Sequence, residues 1–164
     1  MQPETPAVVA ASQNLHAWEA GGADSAGALS AWVSARLAAH EAALSALLAV
    51  EGERTPANSL RLYDEAIEQL SLAGAQAGIL NSVAADKTVR DQAQMEAQRV
   101  AQAASALSLN RAVYEALAAI DLGGANPPIS AATKHYVERT LLCYRLAGVD
   151  KDQATRDRLQ RLHD

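Results

Sequence analysis

Alanine and leucine dominate this sequence, with 38 and 20 of its 164 residues. Both are strong helix formers, whereas the aromatic residues that favour strands make up only 4% of the chain and phenylalanine is absent. The composition therefore predicts an all-α protein. We expect an antiparallel bundle of about five to seven helices, several of them long, because a chain of this length is sufficient for one domain with a buried core.

Helix caps and breakers give the expected boundaries. We interpret residues 1–23 as a flexible N-terminal arm or one short helix, and residues 24–164 as a single helical domain. The predicted helices run from Asp24 or Ser25 to about Val50, from Pro56 (capped by Thr55) past Leu80, from near Asp86 to Leu107, over "RAVYEALAAI", from a Ser130 cap to a Gly148 stop, and from an Asp150–Gln153 capping box onward. No residue terminates the last of them before Asp164.

The charge distribution indicates which classes of partner the chain could bind. The net charge is −5, made up of −7 over residues 1–133 and +2 over residues 134–164. This balance argues against a nucleic-acid partner, which calls for clustered Lys and Arg. No run is long and apolar enough to predict a membrane span, so no membrane partner is expected. The single cysteine, Cys143, fits a reducing compartment, and we expect a cytoplasmic protein.

The segment "HEAAL" at residues 40–44 begins like the zinc-peptidase motif His-Glu-x-x-His, but Leu44 stands where the second histidine is needed. In that motif two histidines one turn apart bind the metal, and the glutamate activates the metal-bound water. His40 alone cannot hold a catalytic zinc. We interpret His40 and Glu41 as a solvated pair on an amphipathic helix, and "HEAAL" as a coincidence.

Two further groups of residues could carry chemistry. Asp64, Glu65 and Glu68 form a carboxylate cluster, but no histidine follows either glutamate at the spacing used by di-iron bundles. Cys143 lies in "TLLCYRL" and is interpreted as a buried, inert core thiol. His135 is interpreted as a surface or half-buried residue. The sequence thus predicts no catalytic, cofactor-binding or metal-binding residue in this chain.

Three stretches, taken in order, resemble a known family: "EAALSALLAVEGERTPANSLRLYDEAIEQL" (41–70), "KTVRDQAQMEAQRVAQAASALSLNRAVYEALAAID" (87–121) and "ATKHYVERTLLCYRLAGVDKDQATRDRLQRL" (132–162). The closest segments are "TPANSL" (55–60), "VRD" (89–91), "LSLNRAVYEAL" (107–117) and "RLAGVDKDQATRDRL" (145–159). In this order and at about this spacing they resemble the N-terminal helical region of the thimet oligopeptidase, neurolysin and oligopeptidase A family of zinc metallopeptidases. The resemblance covers roughly Ala26 to Asp164.

The resemblance implies an all-helical, two-lobed enzyme that cleaves short peptides in a deep channel, with the N-terminal helices forming part of one wall. Zinc and its ligands are expected in a catalytic region beyond the segments matched here, so the chain is expected to be non-catalytic by itself and to hold no cofactor. Its expected partners are the catalytic lobe of the same longer polypeptide and, in the full enzyme, short peptides. The open last helix favours a piece of a longer enzyme. The alternative is a free-standing interaction or scaffold module derived from that family, which could form a homodimer through exposed apolar surface.

Overall fold

A computed structural model describes residues 22–123 and 128–163, and the regular elements of the described residues are all helical, without a strand. The elements are α1 (Gly22–Leu48), a π-helical turn (Pro56–Leu60), α2 (Arg61–Val83), α3 (Lys87–Ser108), α4 (Arg111–Ala118), α5 (Ala131–Ala147) and α6 (Gln153–His163). The all-α prediction is confirmed, and the six described helices fall within the expected number. The expectation for residues 1–23 lies outside the described residues except for the first two residues of α1.

The chain divides into two compact units. Of the described residues, the first comprises 22–42 and 66–103, and the second comprises 43–65, 104–123 and 128–163, so that α1, α2 and α3 each contribute to both. Buried apolar residues of the first unit are Ala26, Leu29, Trp32, Val33, Ala66, Leu70, Ala73, Ala77, Val89, Ala93 and Val100. Those of the second are Leu44, Leu47, Leu60, Tyr63, Leu107, Leu109, Val113, Ala116, Leu117, Ile120, Val137, Tyr144 and Val149. Each unit therefore has its own core.

Small residues set the distance between α2 and α3 in the first unit. A Cβ added to Gly74 would lie 3.4 Å from Val100 Cγ1, which is close packing, whereas a Cβ added to Gly78 would meet nothing within 4 Å. Ala93 on α3 and Ala73 on α2 are fully buried. These small residues thus allow a close approach of α2 and α3, as expected for helices whose contacting side chains are short.

Local side-chain hydrogen bonds fix the helix starts that the sequence predicts. Thr55 and Asn58 form a reciprocal capping box, with Asn58 N donating to Thr55 Oγ1 at 3.3 Å and Thr55 N donating to Asn58 Oδ1 at 2.8 Å. Ser130 Oγ accepts from Thr133 N at 3.0 Å at the start of α5. Gly148 ends that helix with φ of 100°, a left-handed conformation in which glycine carries no Cβ penalty.

The start of α6 differs from the expected one. Asp152, not Asp150, accepts from the amide of Thr155, at 2.9 Å, and so caps the helix. Asp150 cannot do this because the chain is still turning there: Lys151 N donates to Gly148 O at 3.0 Å, and Val149 is fully buried beneath the turn. The turn occupies two more residues than expected, so α6 begins two residues later in the chain.

Substitutions of two glycines should have opposite effects on stability. Gly78→Ala lies on exposed helix with open space around it, so it should raise the free energy of unfolding by about 0.5 to 1 kcal/mol through helix propensity. Gly148→Ala should lower it by about 1 to 3 kcal/mol, because its φ of 100° is strained for alanine and the new Cβ would approach Leu159 Cδ1 to 2.6 Å. Urea denaturation of both variants measures the difference, and equal signs would contradict the described turn.

Candidate functional site

His40 lies in the core of the first unit. Its side chain is only 1% exposed, and Nδ1 lies 2.9 Å from the carbonyl oxygen of Ala66 on α2. A carbonyl only accepts, so the contact assigns the proton to Nδ1. The expected solvated His-Glu pair is therefore wrong for His40, although Glu41 is exposed. The physical reason is periodicity: His40 follows Val33 and Arg36 on the buried face of α1, and its one polar contact is met by backbone.

The described residues do not fit a metal site. Nδ1 of His40 is used by Ala66, and Leu44 offers no ligand one turn further on. Within residues 22–123 and 128–163, no three His, Cys, Asp or Glu side chains lie close enough together to hold a metal ion. In the carboxylate cluster, Asp64 accepts a hydrogen bond from Tyr136, Glu65 pairs with Arg61 on its own helix, and Glu68 is exposed.

Glu96 is a buried carboxylate with its partners in place. It is 1% exposed on α3, and Gln92 Nε2 donates to Oε1 at 2.7 Å while Arg99 Nη1 donates to Oε2 at 2.6 Å. Arg99 also donates to Ser34 Oγ on α1, at 3.2 Å from Nη2. Both oxygens thus have donors, and the negative charge has a guanidinium beside it, as a buried charge requires.

Arg36 is a buried cation with different surroundings. It is 7% exposed, Nη1 donates to the neutral amide oxygen of Gln69 at 2.9 Å, and its Cζ lies 4.9 Å from the centroid of the Trp32 ring. The guanidinium therefore stacks on an aromatic face, which is a favourable cation–π arrangement. No carboxylate oxygen of the described residues lies within 4 Å of its nitrogens, and its buried Nε has no hydrogen-bond partner among them.

The four tyrosines of the chain lie together in the second unit and are here called the tyrosine cluster. The Tyr144 ring centroid lies 6.3 Å from that of Tyr63 and 6.1 Å from that of Tyr114, both in tilted geometry. Tyr136 OH donates to Asp64 Oδ1 at 2.9 Å, although 72 residues separate them. The cluster thereby joins α2, α4 and α5 through aromatic contacts and through the hydrogen bond from Tyr136 to Asp64.

The surroundings of Tyr63, Tyr136 and Tyr144 favour the neutral form of these three phenols. Burial, followed by the nearness of Tyr63, raises the pKa of Tyr144 far above its ordinary value. Burial also raises the pKa of Tyr63, and burial with the hydrogen bond to Asp64 raises the pKa of Tyr136. The Tyr144 hydroxyl is buried and close to that of Tyr63, but has no hydrogen bond of ordinary geometry to any described residue. These phenols can donate hydrogen bonds, but they cannot act as bases near neutral pH.

Cys143 is exposed, so the expectation of a buried core thiol is wrong. The buried face of α5 passes through Val137 and Tyr144. Cys143 precedes Tyr144 and is therefore rotated from it by about 100° around the helix, away from the core. Leu146, expected beside the apolar face, is also exposed, whereas His135 is exposed as predicted.

The buried charges were not singled out from the sequence, because Arg and Glu on a helix are solvated by default. Periodicity could have indicated them. Arg36 is three residues after Val33, and Glu96 lies between Ala93 and Val100 at spacings of three and four, so both fall on a buried face. The contacts among the tyrosines depend on how the helices pack, which the sequence does not give.

Comparison with known proteins finds no relative: no family model, no curated protein and no solved structure matches the chain. The resemblance to oligopeptidases therefore rests on the sequence segments alone. None of the helices in the described ranges has the length and apolar character needed to cross a membrane. The class that the fold defines is an all-α protein with buried polar groups in one unit and a tyrosine cluster in the other.

Replacing His40 should destabilise the protein. His40→Ala removes a buried ring and a hydrogen bond to backbone, so the free energy of unfolding should fall by about 1 to 3 kcal/mol. His135→Ala, an equivalent change at an exposed position of α5, should alter it by less than about 0.5 kcal/mol. Equilibrium urea unfolding at one pH compares the two variants. Equal effects would restore the solvated interpretation of His40.

Alkaline pH should weaken the fold through the tyrosine cluster. Each pKa is raised on folding, so the stabilising difference is complete below the unfolded value of about 10 and is lost as pH rises above it. Tyr144→Phe removes one of these titrations and a buried hydroxyl without a hydrogen bond. The variant should therefore be as stable as the parent protein at pH 8 or slightly more so, and should lose less stability by pH 11.

Tyr136→Phe is the matched comparison for this alkaline effect. It deletes the hydroxyl that donates to Asp64, so at pH 8 it should cost about 0.5 to 1.5 kcal/mol, where Tyr144→Phe costs nothing. Urea unfolding of the parent protein, Tyr144→Phe and Tyr136→Phe at pH 8, 9, 10 and 11 gives the free energy of unfolding at pH 8 and its loss by pH 11. A parent protein whose stability is unchanged from pH 9 to 11 would contradict the buried, neutral cluster.

Proposed function

We propose that this chain is the N-terminal helical part of a cytoplasmic zinc oligopeptidase and forms part of the wall of a channel that admits short peptides. The observation that carries the proposal is the ordered series of segments from "TPANSL" to "RLAGVDKDQATRDRL". Zinc and the catalytic groups belong, in this proposal, to a catalytic lobe of the same longer polypeptide. The present residues contribute architecture and selection by substrate size.

The positions of these segments in the fold support the proposal. "TPANSL" contains the Thr55 capping box and the π-helical turn, and "LSLNRAVYEAL" contains Asn110, whose side chain accepts from Val113 N at 3.1 Å to start α4. "RLAGVDKDQATRDRL" contains the left-handed Gly148 and the Asp152 cap. The resemblance therefore concentrates at residues that determine where helices start and stop. Likeness at such residues argues for a similar helical framework, which is what a wall requires.

The chemistry of the described residues also favours a wall over a reaction centre. The buried imidazole, the buried carboxylate and the tyrosine cluster are each engaged in packing or hydrogen bonding within a unit. None of them combines a nucleophile with an adjacent base, the minimum arrangement for covalent catalysis. A channel wall needs only a fixed shape and an accessible surface.

An exposed apolar stripe on α2 is the surface through which a further lobe could be contacted. Leu72, Ile79 and Val83 are spaced by seven and four residues, so they share one helix face, and Ile79 and Val83 are 57% and 71% exposed. Exposed apolar surface of this kind is typical of interaction sites. The same stripe favours the second candidate, a free-standing interaction or scaffold module that associates with itself or with another protein.

A chimera tests the proposal. The full chain replaces the N-terminal helical region of an active oligopeptidase of this family, and cleavage of a quenched nine-residue peptide and of a folded protein is measured. We expect zinc-dependent cleavage of the short peptide alone, abolished by a chelator. The same chimera carrying Gly148→Ala with Leu159→Asp, which disrupts the α5–α6 turn, should lose activity or size selection.

The isolated chain with added zinc should give no turnover of the same peptide. A folded, zinc-loaded chimera that does not cleave the peptide would contradict the wall function. Chelator-sensitive turnover by the isolated chain would contradict the assignment of catalysis to another region. If the chimera fails while the isolated chain self-associates in sedimentation and Ile79→Lys makes it monomeric, the interaction module is the better description.

A further inference from the structure

Among the described residues of the first unit, one buried cation has no buried anion to neutralise it. Arg36 is 93% removed from solvent, and its side-chain hydrogen bond to a described residue goes to Gln69, a neutral amide. Burying a guanidinium without a counter-ion is unfavourable, because solvation is lost and no ion pair replaces it. A glutamate at position 69 would supply the missing charge in an almost identical shape, yet the chain has glutamine there.

The buried carboxylate of the same unit does not neutralise Arg36. Both oxygens of Glu96 accept from other groups, Oε1 from Gln92 and Oε2 from Arg99, and the ion pair of Glu96 is with Arg99. Arg36 and Glu96 are therefore two buried charges of one unit with different surroundings. One charge is paired within the chain, and the other has only a neutral amide and an aromatic ring beside it.

The geometry around Arg36 restricts where a counter-ion could bind. The Trp32 ring covers one face of the guanidinium, with Cζ 4.9 Å from the ring centroid, and Gln69 occupies Nη1. The remaining Nε donor is buried and has no hydrogen-bond partner among the described residues. In arginine, Nε and Nη2 form the edge that presents two parallel donors to a carboxylate. An anion at Arg36 would thus lie in the guanidinium plane at the Nε edge.

We propose that the Nε edge of Arg36 is a binding site for a small monovalent anion, either chloride or a short carboxylate such as formate. The single guanidinium matches one negative charge. Arg36 is 7% exposed and its Nε is buried, so a small anion fits this position better than a bulky one. The inference rests on Arg36, Gln69 and Trp32 alone and holds whether or not the chain belongs to an oligopeptidase.

Anion binding to the folded state raises the thermal midpoint, since a ligand that binds only the native protein stabilises it by RT ln(1 + [L]/Kd). The full chain is unfolded by heating at fixed pH and fixed ionic strength while gluconate is replaced by chloride. At ten times Kd the midpoint should rise by about 3 to 6 °C, and above Kd it should keep rising with the logarithm of the chloride concentration. A logarithmic rise separates a site from a general salt effect, which grows linearly with concentration.

Three variants locate the effect. Arg36→Met removes the guanidinium at similar length and should abolish the chloride-dependent rise. Gln69→Glu supplies a carboxylate beside Nη1, and should give a higher midpoint in gluconate that chloride no longer changes. Arg61→Met makes the same substitution at an exposed arginine of α2 and should keep the full response of the parent protein. Gln69→Glu keeps the test decisive if Arg36→Met does not fold.

Line broadening of the chloride-35 NMR signal reports binding directly. The parent protein and Arg61→Met should broaden the signal, Gln69→Glu should not, and added formate should reverse the broadening if a short carboxylate uses the same edge. If acetate reverses it as well, the site accepts carboxylates beyond formate; if neither does, it is a halide site. A parent protein whose midpoint and chloride signal do not respond, or whose response persists in Gln69→Glu, would overturn the proposal, and the Nε proton would then be bound by water.

Discussion

The close approach of helices that present alanine is the constraint on which the first unit depends. Ala66, Ala73, Ala77 and Ala93 are fully buried, and a Cβ added to Gly74 would reach Val100 at van der Waals distance. Short side chains bring helix axes together, but they fill little volume, and the core of the first unit has few large apolar side chains to fill the rest. Long polar side chains then become useful as core components, because their hydrocarbon stems occupy space that alanine leaves.

This argument explains why Arg36, His40 and Glu96 are buried together in an alanine-rich unit. Each contributes a long or broad side chain, and each needs a polar contact that a leucine would not need. His40 obtains it from backbone, Glu96 from Gln92 and Arg99, and Arg36 only in part from Gln69. The second unit solves the same problem with larger residues, since the tyrosine cluster and several leucines fill its core. The second unit therefore has fewer buried polar side chains that need hydrogen bonds, and these are mainly phenol hydroxyl groups.

The predictable parts of the fold are those decided within a few residues of sequence. The Thr55 and Ser130 caps and the Gly148 stop were predicted because a cap requires only one side chain and the amides three residues on. The interpretations of His40 and Cys143 were wrong because residue type was given more weight than position on the helix face. The contact between Tyr136 and Asp64 could not be predicted, since 72 residues separate them and the packing of α5 against α2 sets their distance.

The difference between features decided locally and features decided by helix packing also limits what a sequence resemblance can support. The closest segments lie mostly at helix starts and stops in the second unit, where sequence determines structure locally, although the resemblance as a whole spans Ala26 to Asp164 and so includes the buried polar residues of the first unit. If the chain forms the proposed channel wall, it acts through shape, so its contribution depends on the folded fraction and on the positions of its helices more than on any one functional group. In that case an anion at Arg36 would act through the stability of the first unit. Its effect on peptide cleavage by the proposed parent enzyme should then follow the folded fraction.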